Sequence, residues 1–181
     1  MRNHLPTRCA ICAASDPNDR EGLRRMHSID ATDARLLLAL DDDPQASAMA
    51  LSTRLGLARN TVHARLRRLE DGGTLGAHSR RLDTAALGRG LLAFMTLSLS
   101  QSEGSQATAA LAAIPEIVEV LATTGEGDLL VRVVAVDTAD LYRVTEAVLA
   151  APGVVRASTS IALVEVVPFR LAPLLHERAD R

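Results

Sequence analysis

Residues 47–73 read SAMALSTRLGLARNTVHARLRRLEDGG, and this stretch decides the fold of the N-terminal half. Ser47 is placed as an N-cap, its hydroxyl accepting from the orphan backbone N–H groups of a helix that carries Met49, Leu51 and Leu55. Gly56 stands where a chain leaving a helix needs the left-handed conformation. Leu57 and Ala58 lead into a second helix whose apolar residues Val62, Leu66 and Leu69 recur at spacings of four and three, and Gly72-Gly73 ends it. Ser52 lies four residues before Gly56, and Val62 six after it. This is helix-turn-helix spacing: two short helices cross closely only if Ser52 is small, Gly56 turns sharply and Val62 plugs one against the other. Upstream, Asp30 caps a preceding helix with Asp33 in its first turn. Its apolar run is Leu36, Leu37 and Leu40, and Asp41-Asp42-Asp43-Pro44 stops it.

The second helix of the pair turns Arg59, Asn60, Thr61, His63, Arg67 and Arg68 away from its apolar stripe. Arg can donate twice to guanine and Asn can pair twice with adenine in a major groove, so Arg59, Asn60 and His63 are the candidates for base contacts. Arg54, Arg67, Arg68, Arg80 and Arg81 are the candidates for phosphates, while Arg65 faces either the domain or a phosphate. Residues 54–81 hold seven arginines against Glu70 and Asp71, on a chain whose net charge is only -2. Such local excess suits a polyanion held by one domain. The bland alternative is a solvated arginine-rich helix face.

Composition removes several other classes. Of the 181 residues, 48% are apolar, enough for a real core. The aromatics are Phe94, Tyr142 and Phe169 alone, too few for the stacking platforms of single-strand binders. All 20 basic residues are arginine, which excludes a lysine Schiff base and a Walker-type phosphate lysine. No run of 18 apolar residues is present, and no apolar signal-peptide core, so no membrane partner and a cytoplasmic location are expected. Cys9 and Cys12 form a C-x-x-C pair, with His4 and His27 as conceivable further ligands, but the spacing matches no common zinc pattern and no metal is assigned.

Downstream, residues 91–167 read as two strand-helix-strand units. In Leu91–Ser100, Phe94, Thr96 and Ser98 alternate with Met95, Leu97 and Leu99, the period of a strand. A helix is expected over 106–114, ended by Pro115, then strands over 117–124 and 129–136. A second helix is capped by Thr138 and reaches Ala150, and a long last strand covers 154–167. The fold class is α+β: a helix-turn-helix domain followed by a ferredoxin-like βαββαβ domain with two helices on one sheet face. A second chain is the cheapest cover for the other face. The expected domains are a loose extension over 1–25, a DNA-binding domain over 26–74, a linker strand over 75–90, the ferredoxin-like domain over 91–168 and a tail over 169–181.

The motifs converge on a family. Ile29-Asp30, Asp33, Leu51, Leu55-Gly56-Leu57, Val62, Arg65-Leu66-Arg67-Arg68-Leu69-Glu70, Gly73 and Leu87-Gly88 carry the first half of the likeness. Gly125, Asp128-Leu129-Leu130, Pro152-Gly153-Val154 and Thr159 carry the second. Over about 140 of its 181 residues the chain resembles the Lrp/AsnC (leucine-responsive, feast/famine) family of transcriptional regulators. The resemblance implies a homodimer, commonly assembled to an octamer, that binds double-stranded DNA through paired helix-turn-helix units. It also implies a small effector, usually an amino acid, in the second domain, and no cofactor. The effector residues it points to are Thr124, Gly125, Glu126, Gly127, Asp128, Ser158 and Thr159. Asp128 could hold an amino group, and the backbone of Gly125-Glu126-Gly127 a carboxylate; a tight turn that needs glycine for geometry alone is the plain alternative.

The chain departs from the family pattern at two places. Ala58 stands where many relatives have a capping serine, which leaves the N–H groups at that helix start without a side-chain partner. Gly127 stands where many carry an aromatic residue, which implies a larger pocket or a different ligand. Two alternatives to an effector-tuned regulator are an amino-acid-sensing module that binds no DNA and an enzyme similar to the sirohaem decarboxylases. The enzyme would need a proton donor in the second domain, yet His4, His27, His63, His78 and His176 all lie outside residues 91–167.

Overall fold

A computed structural model describes residues 28–100 and 104–181, which divide into two compact units. The helix-turn-helix unit begins with α1 (Ala31–Asp42), whose start is a reciprocal capping box. The Asp30 carboxylate accepts from Asp33 N at 2.8 Å, and the Asp33 carboxylate accepts from Asp30 N at 3.1 Å. In α2 (Ala48–Leu55), Ser47 accepts from Ala50 N at 3.2 Å, and Gly56 closes the helix in the left-handed region at φ 66°. Ser52 is small for a reason beyond packing: its hydroxyl donates to Leu57 O at 2.5 Å and ties the turn shut. Then follows α3 (Arg59–Asp71), at whose N-cap Ala58 makes no side-chain hydrogen bond, as its methyl group requires. Leu36, Ala39, Leu51 and Val62 form the buried core of the three helices, with Leu40, Leu55, Leu57 and Leu66 around it.

The expected linker strand is absent. Two 3-10 turns, His78–Arg81 and Thr84–Leu87, occupy the segment instead. The segment pairs with no strand among the described residues and leaves Leu82 exposed, so local bonds satisfy its backbone. Asp83 accepts from Ala85 N, and Gly88 leaves the second turn at φ 74°.

In the second unit the elements run β1 (Leu91–Leu99), α4 (Gly104–Ala112), β2 (Ile117–Ala122), β3 (Leu129–Ala135), α5 (Thr138–Leu149) and β4 (Val154–Ile161). The four strands form one antiparallel sheet in the order β2-β3-β1-β4, the ferredoxin-like arrangement. Period-two burial sends Ala93, Met95 and Leu97 of β1 and Leu129, Val131 and Val133 of β3 into one core with Leu111, Leu141, Val144 and Val148 from the helices. Asp137, rather than Thr138, caps α5, accepting from Asp140 N at 2.8 Å. The first helix lies two residues earlier than the spacing suggested. The last strand is much shorter, because β1 runs out of backbone to offer: Ala162 N still donates to Leu92 O, and no ladder continues beyond it. Nor is the end of the chain a plain tail. Residues 172–179 form α6 (Ala172–Ala179), which belongs to the helix-turn-helix unit and packs along α1.

A charge cluster fixes where β1 starts. Buried Glu116 accepts from Arg143 at 2.6 Å and pairs with Arg89 at 3.2 Å, and Asp140 pairs with the same two arginines. Burial alone would raise the Glu116 carboxyl, but the Arg143 hydrogen bond and a backbone bond hold it below the ordinary range.

Leu51 is fully buried in the small core that the three helices share. Leu51→Ala is expected to cost about 2–5 kcal/mol in denaturant unfolding of this unit.

Candidate nucleic-acid interface and effector loop

Helix α3 has two arginine-bearing faces with different fates. On the inner side, Arg65 Nη1 donates to Asp30 Oδ2 at 2.6 Å and to Asp33 Oδ1 at 2.8 Å, and Arg68 Nη2 donates to Asp33 Oδ2 at 2.5 Å. The Asp33 side chain has no exposed surface, so a buried carboxylate of α1 sits between two guanidinium groups of α3. Arg65 thus faces the domain. Arg68 is engaged as well, since its Nη2 holds Asp33 and its Nε is buried, although 40% of its side-chain surface stays exposed. Hydrogen bonding from Arg65 pulls the Asp30 carboxyl down to about 2.

On the outer side, Arg59, Asn60, Thr61, His63 and Arg67 are exposed, and their side chains make no hydrogen bond or ion pair among the described residues. A shallow groove follows Asn60, His63, Ala64 and Arg67, and another runs beside it along Asn60, Thr61 and Ala64 to Arg65 and Arg68. Arg54 forms a surface ion pair with Asp42, which is exposed and so exchangeable at little cost. Arg80 and Arg81 are exposed on the 3-10 turn that follows α3. The outer face therefore combines free cations with an asparagine and a histidine, the groups that reach phosphates and base edges.

The loop between β2 and β3 is a tied hairpin. Thr123 N donates to Asp128 O at 3.0 Å, the Thr123 hydroxyl donates to Gly127 O at 2.9 Å, and Gly125 sits at φ 123°, where only glycine is at ease. Asp128 has a structural part. Its carboxylate accepts from Leu99 N at 2.7 Å, beside the register shift at Ser98/Leu99, and its own N–H donates to Leu97 O. Thr124, Gly125 and Glu126 are exposed at the tip.

Gly127, by contrast, is buried, and a Cβ there would overlap Thr96 Cγ2 and come within 3.3 Å of Leu97 O. The expected larger pocket is thus corrected: Thr96 already fills the direction a side chain at 127 would take. Ser158 lies opposite Thr96 in the sheet, whereas Thr159 lies opposite Met95 on the other face. Successive strand residues point apart, so Ser158 and Thr159 cannot line one pocket from one face. Thr96 is the residue that links Gly127 to Ser158. Its alternation was visible in the sequence; the β1–β3 register that brings it under the loop was not.

Comparison with known proteins fits this division. Residues 29–75 match the model of a winged helix-turn-helix DNA-binding domain, and residues 92–171 match that of the Lrp/AsnC ligand binding domain. The HTH-type transcriptional regulator FL11 of Pyrococcus horikoshii is 32% identical over 135 residues, covering 75% of this chain and 89% of the relative. The chain belongs to the Lrp/AsnC family of transcriptional regulators. The regulator AldR of Mycolicibacterium smegmatis is 34% identical over 122 residues, 66% of this chain and 71% of its own. A solved feast or famine regulatory protein from M. tuberculosis, complexed with L-methionine, superposes with a TM-score of 0.70 at 28% identity, covering 80% of this chain and 98% of that one. A Neisseria meningitidis transcriptional regulator, also complexed with L-methionine, gives 0.68 at 27% identity, over 78% and 94%. The relatives named here are all transcriptional regulators. Among the described residues no cluster of His, Cys, Asp and Glu is built to hold a metal, and no helix is long and apolar enough to cross a membrane. Cys9, Cys12, His4 and His27 lie outside the described residues.

Two outcomes follow. The Asp30 carboxyl sits lower in the folded chain than its ordinary 3.8, so its contribution to stability is complete above about pH 4 and is lost as pH falls towards about 2. Asp30→Asn keeps a good cap and removes the charge; acid-unfolding curves of this variant should be flatter than wild type in that window. At the loop, Gly127→Ala is expected to cost about 1–3 kcal/mol in chemical denaturation. Adding Thr96→Ser, which removes Cγ2, should recover part of that loss in a double-mutant cycle.

Proposed function

We propose that the protein is a sequence-preferring regulator whose DNA binding or assembly shifts when an amino acid occupies its C-terminal unit. It works in the cytoplasm as a homodimer that assembles further, up to an octamer. The observation that carries the reading is the outer face of α3, where Arg59, Asn60, His63 and Arg67 are exposed without side-chain partners among the described residues while Arg65 and Arg68 are paired with carboxylates of the unit. Two such helices, one from each protomer, enter successive major grooves roughly one turn (~34 Å) apart. Arg59, Asn60, Thr61 and His63 read base edges. Arg67, with Arg54, Arg80 and Arg81, supplies phosphate contacts.

Support for an amino-acid effector comes from the L-methionine complexes of the M. tuberculosis and N. meningitidis proteins. Here the exposed backbone of Thr124, Gly125 and Glu126 would meet its carboxylate, with Ser158 nearby across Thr96 and the structurally engaged Asp128 holding the loop in shape. Support for a homo-oligomer is the sheet face away from the helices, which leaves Phe94 and Leu121 exposed.

Selection of duplexes from a random pool by the purified protein, followed by binding across a salt series with a panel of amino acids including methionine, tests this directly. A preferred site, salt-sensitive affinity and a shift with one amino acid are expected. Arg67→Ala should weaken binding to every duplex and lower the salt slope by about 0.9, whereas Asn60→Ala should relax sequence preference at an unchanged slope. Absence of DNA binding at low salt, with an amino acid still bound, would leave only a sensing module.

A further inference from the structure

The segment after β4 has no role in the reading above, yet its helix lies on the DNA-binding unit. α6 packs along α1, and the α6 residues that lose exposure, Ala172, Leu175, Arg178 and Ala179, recur at spacings of three and four. That is one helix face. On α1, Ala34 and Leu37 are buried although they stand outside the core shared with α2 and α3. Arg178 closes the contact. Its Nε donates to Ile29 O at 2.7 Å, and its Nη2 donates to Ser28 Oγ at 3.2 Å.

Those two partners are the residues directly before Asp30. Asp30 caps α1 and accepts from Arg65 of α3 at 2.6 Å. Hydrogen bonds at either end of the short backbone stretch Ser28-Ile29-Asp30 thus connect the C-terminal helix, through the entry to α1, with the helix that presents Asn60, His63 and Arg67. Chain entering a helix frays unless it is tied down, and here the tie comes from Arg178.

We infer that α6 is a clamp on the helix-turn-helix unit, and that Arg178 is a positioning residue for DNA binding: it holds Ser28-Ile29, thereby fixes Asp30, and through Arg65 sets the pose of α3. Arg178 touches no DNA itself. The inference rests on the reading of α3 as the helix that meets DNA.

The test uses the full-length protein and the duplex that the wild type selects, with wild type, Arg178→Ala, Arg178→Lys and Arg181→Ala compared by fluorescence anisotropy across salt. Arg181 pairs with Glu177 on the exposed side of α6 and controls for loss of one positive charge. Arg178→Ala is expected to weaken binding about 3- to 10-fold at an unchanged salt slope, Arg178→Lys to recover part of it, and Arg181→Ala to match wild type. Hydrogen exchange on the free protein supplies a reading independent of DNA. Amides in the first turn of α1 and around Arg65 should exchange faster in Arg178→Ala, while those of β1 and β3 stay as in wild type. Unchanged affinity with unchanged exchange overturns the clamp. So does a salt slope lowered by about 0.9, which would place Arg178 on a phosphate. Failure of the wild type to bind any duplex would sink the DNA-binding reading of α3 and the positioning role together, whereas normal wild-type binding with an indifferent Arg178→Ala would sink the clamp alone.

Discussion

The buried carboxylate of Asp33 between Arg65 and Arg68 is the constraint on which the DNA-binding unit depends. Of the thirteen residues of α3, only Val62 and Leu69 are buried, a narrow apolar seam for a helix that must present one particular face. Apolar contacts along such a seam hold a helix against its neighbours but leave its rotation about its own axis poorly specified. Two guanidinium groups on one carboxylate remove that freedom, because each hydrogen bond has a direction as well as a distance. Buried ion pairs are weak sources of stability; what this one supplies is a defined roll angle. The outward placing of Asn60, His63 and Arg67 is the direct consequence.

The second unit solves a comparable problem without a charge at its centre. Its core is aliphatic, drawn from alternate residues of β1 and β3 and from α4 and α5, and its charges sit where the chain enters β1. Arg89 and Arg143 neutralise Glu116 and Asp140 there, so the linker meets the sheet at a fixed point. At the opposite end of β1, Asp128 satisfies the Leu99 amide where the ladder with β4 shifts register. An aspartate that resembles a ligand-binding group in the sequence is thus also a means of finishing a strand, and the tip of the loop beyond it stays exposed.

Features written in local sequence were legible. Asp30, Ser47 and Gly56 mark helix ends through bonds to residues no more than five positions away, and period-two alternation marked β1 without reference to any partner. The linker failed because a strand is a relation between two segments, and residues 75–90 have no second segment to pair with among the described residues. The over-long last strand failed for the same reason: the largely apolar stretch Leu163 to Val167 cannot extend a ladder beyond the length of β1. The partners of Arg65 and Arg68 lie more than thirty residues away, and Arg178 reaches across 149 residues to Ile29. Helical spacing alone could place these arginines on a face, but could not say what that face would meet.

A chain whose basic residues are all arginine gives one side chain type two incompatible duties, and helix geometry keeps them apart. Arg59, His63 and Arg67 follow one another at intervals of four and stay exposed; Arg65 and Arg68, three apart, reach the Asp30 and Asp33 carboxylates. The planar fork of arginine suits both tasks, since it can bridge two carboxylates inside the protein as readily as it can grip guanine or phosphate outside it. Lysine, a point charge on a flexible stem, would neutralise Asp33 without fixing the direction of the contact. The positive charge counted in the sequence is therefore larger than the charge offered to DNA. What reaches the outer surface of α3 is the part that the internal ion pairs do not consume, aimed by the part that they do.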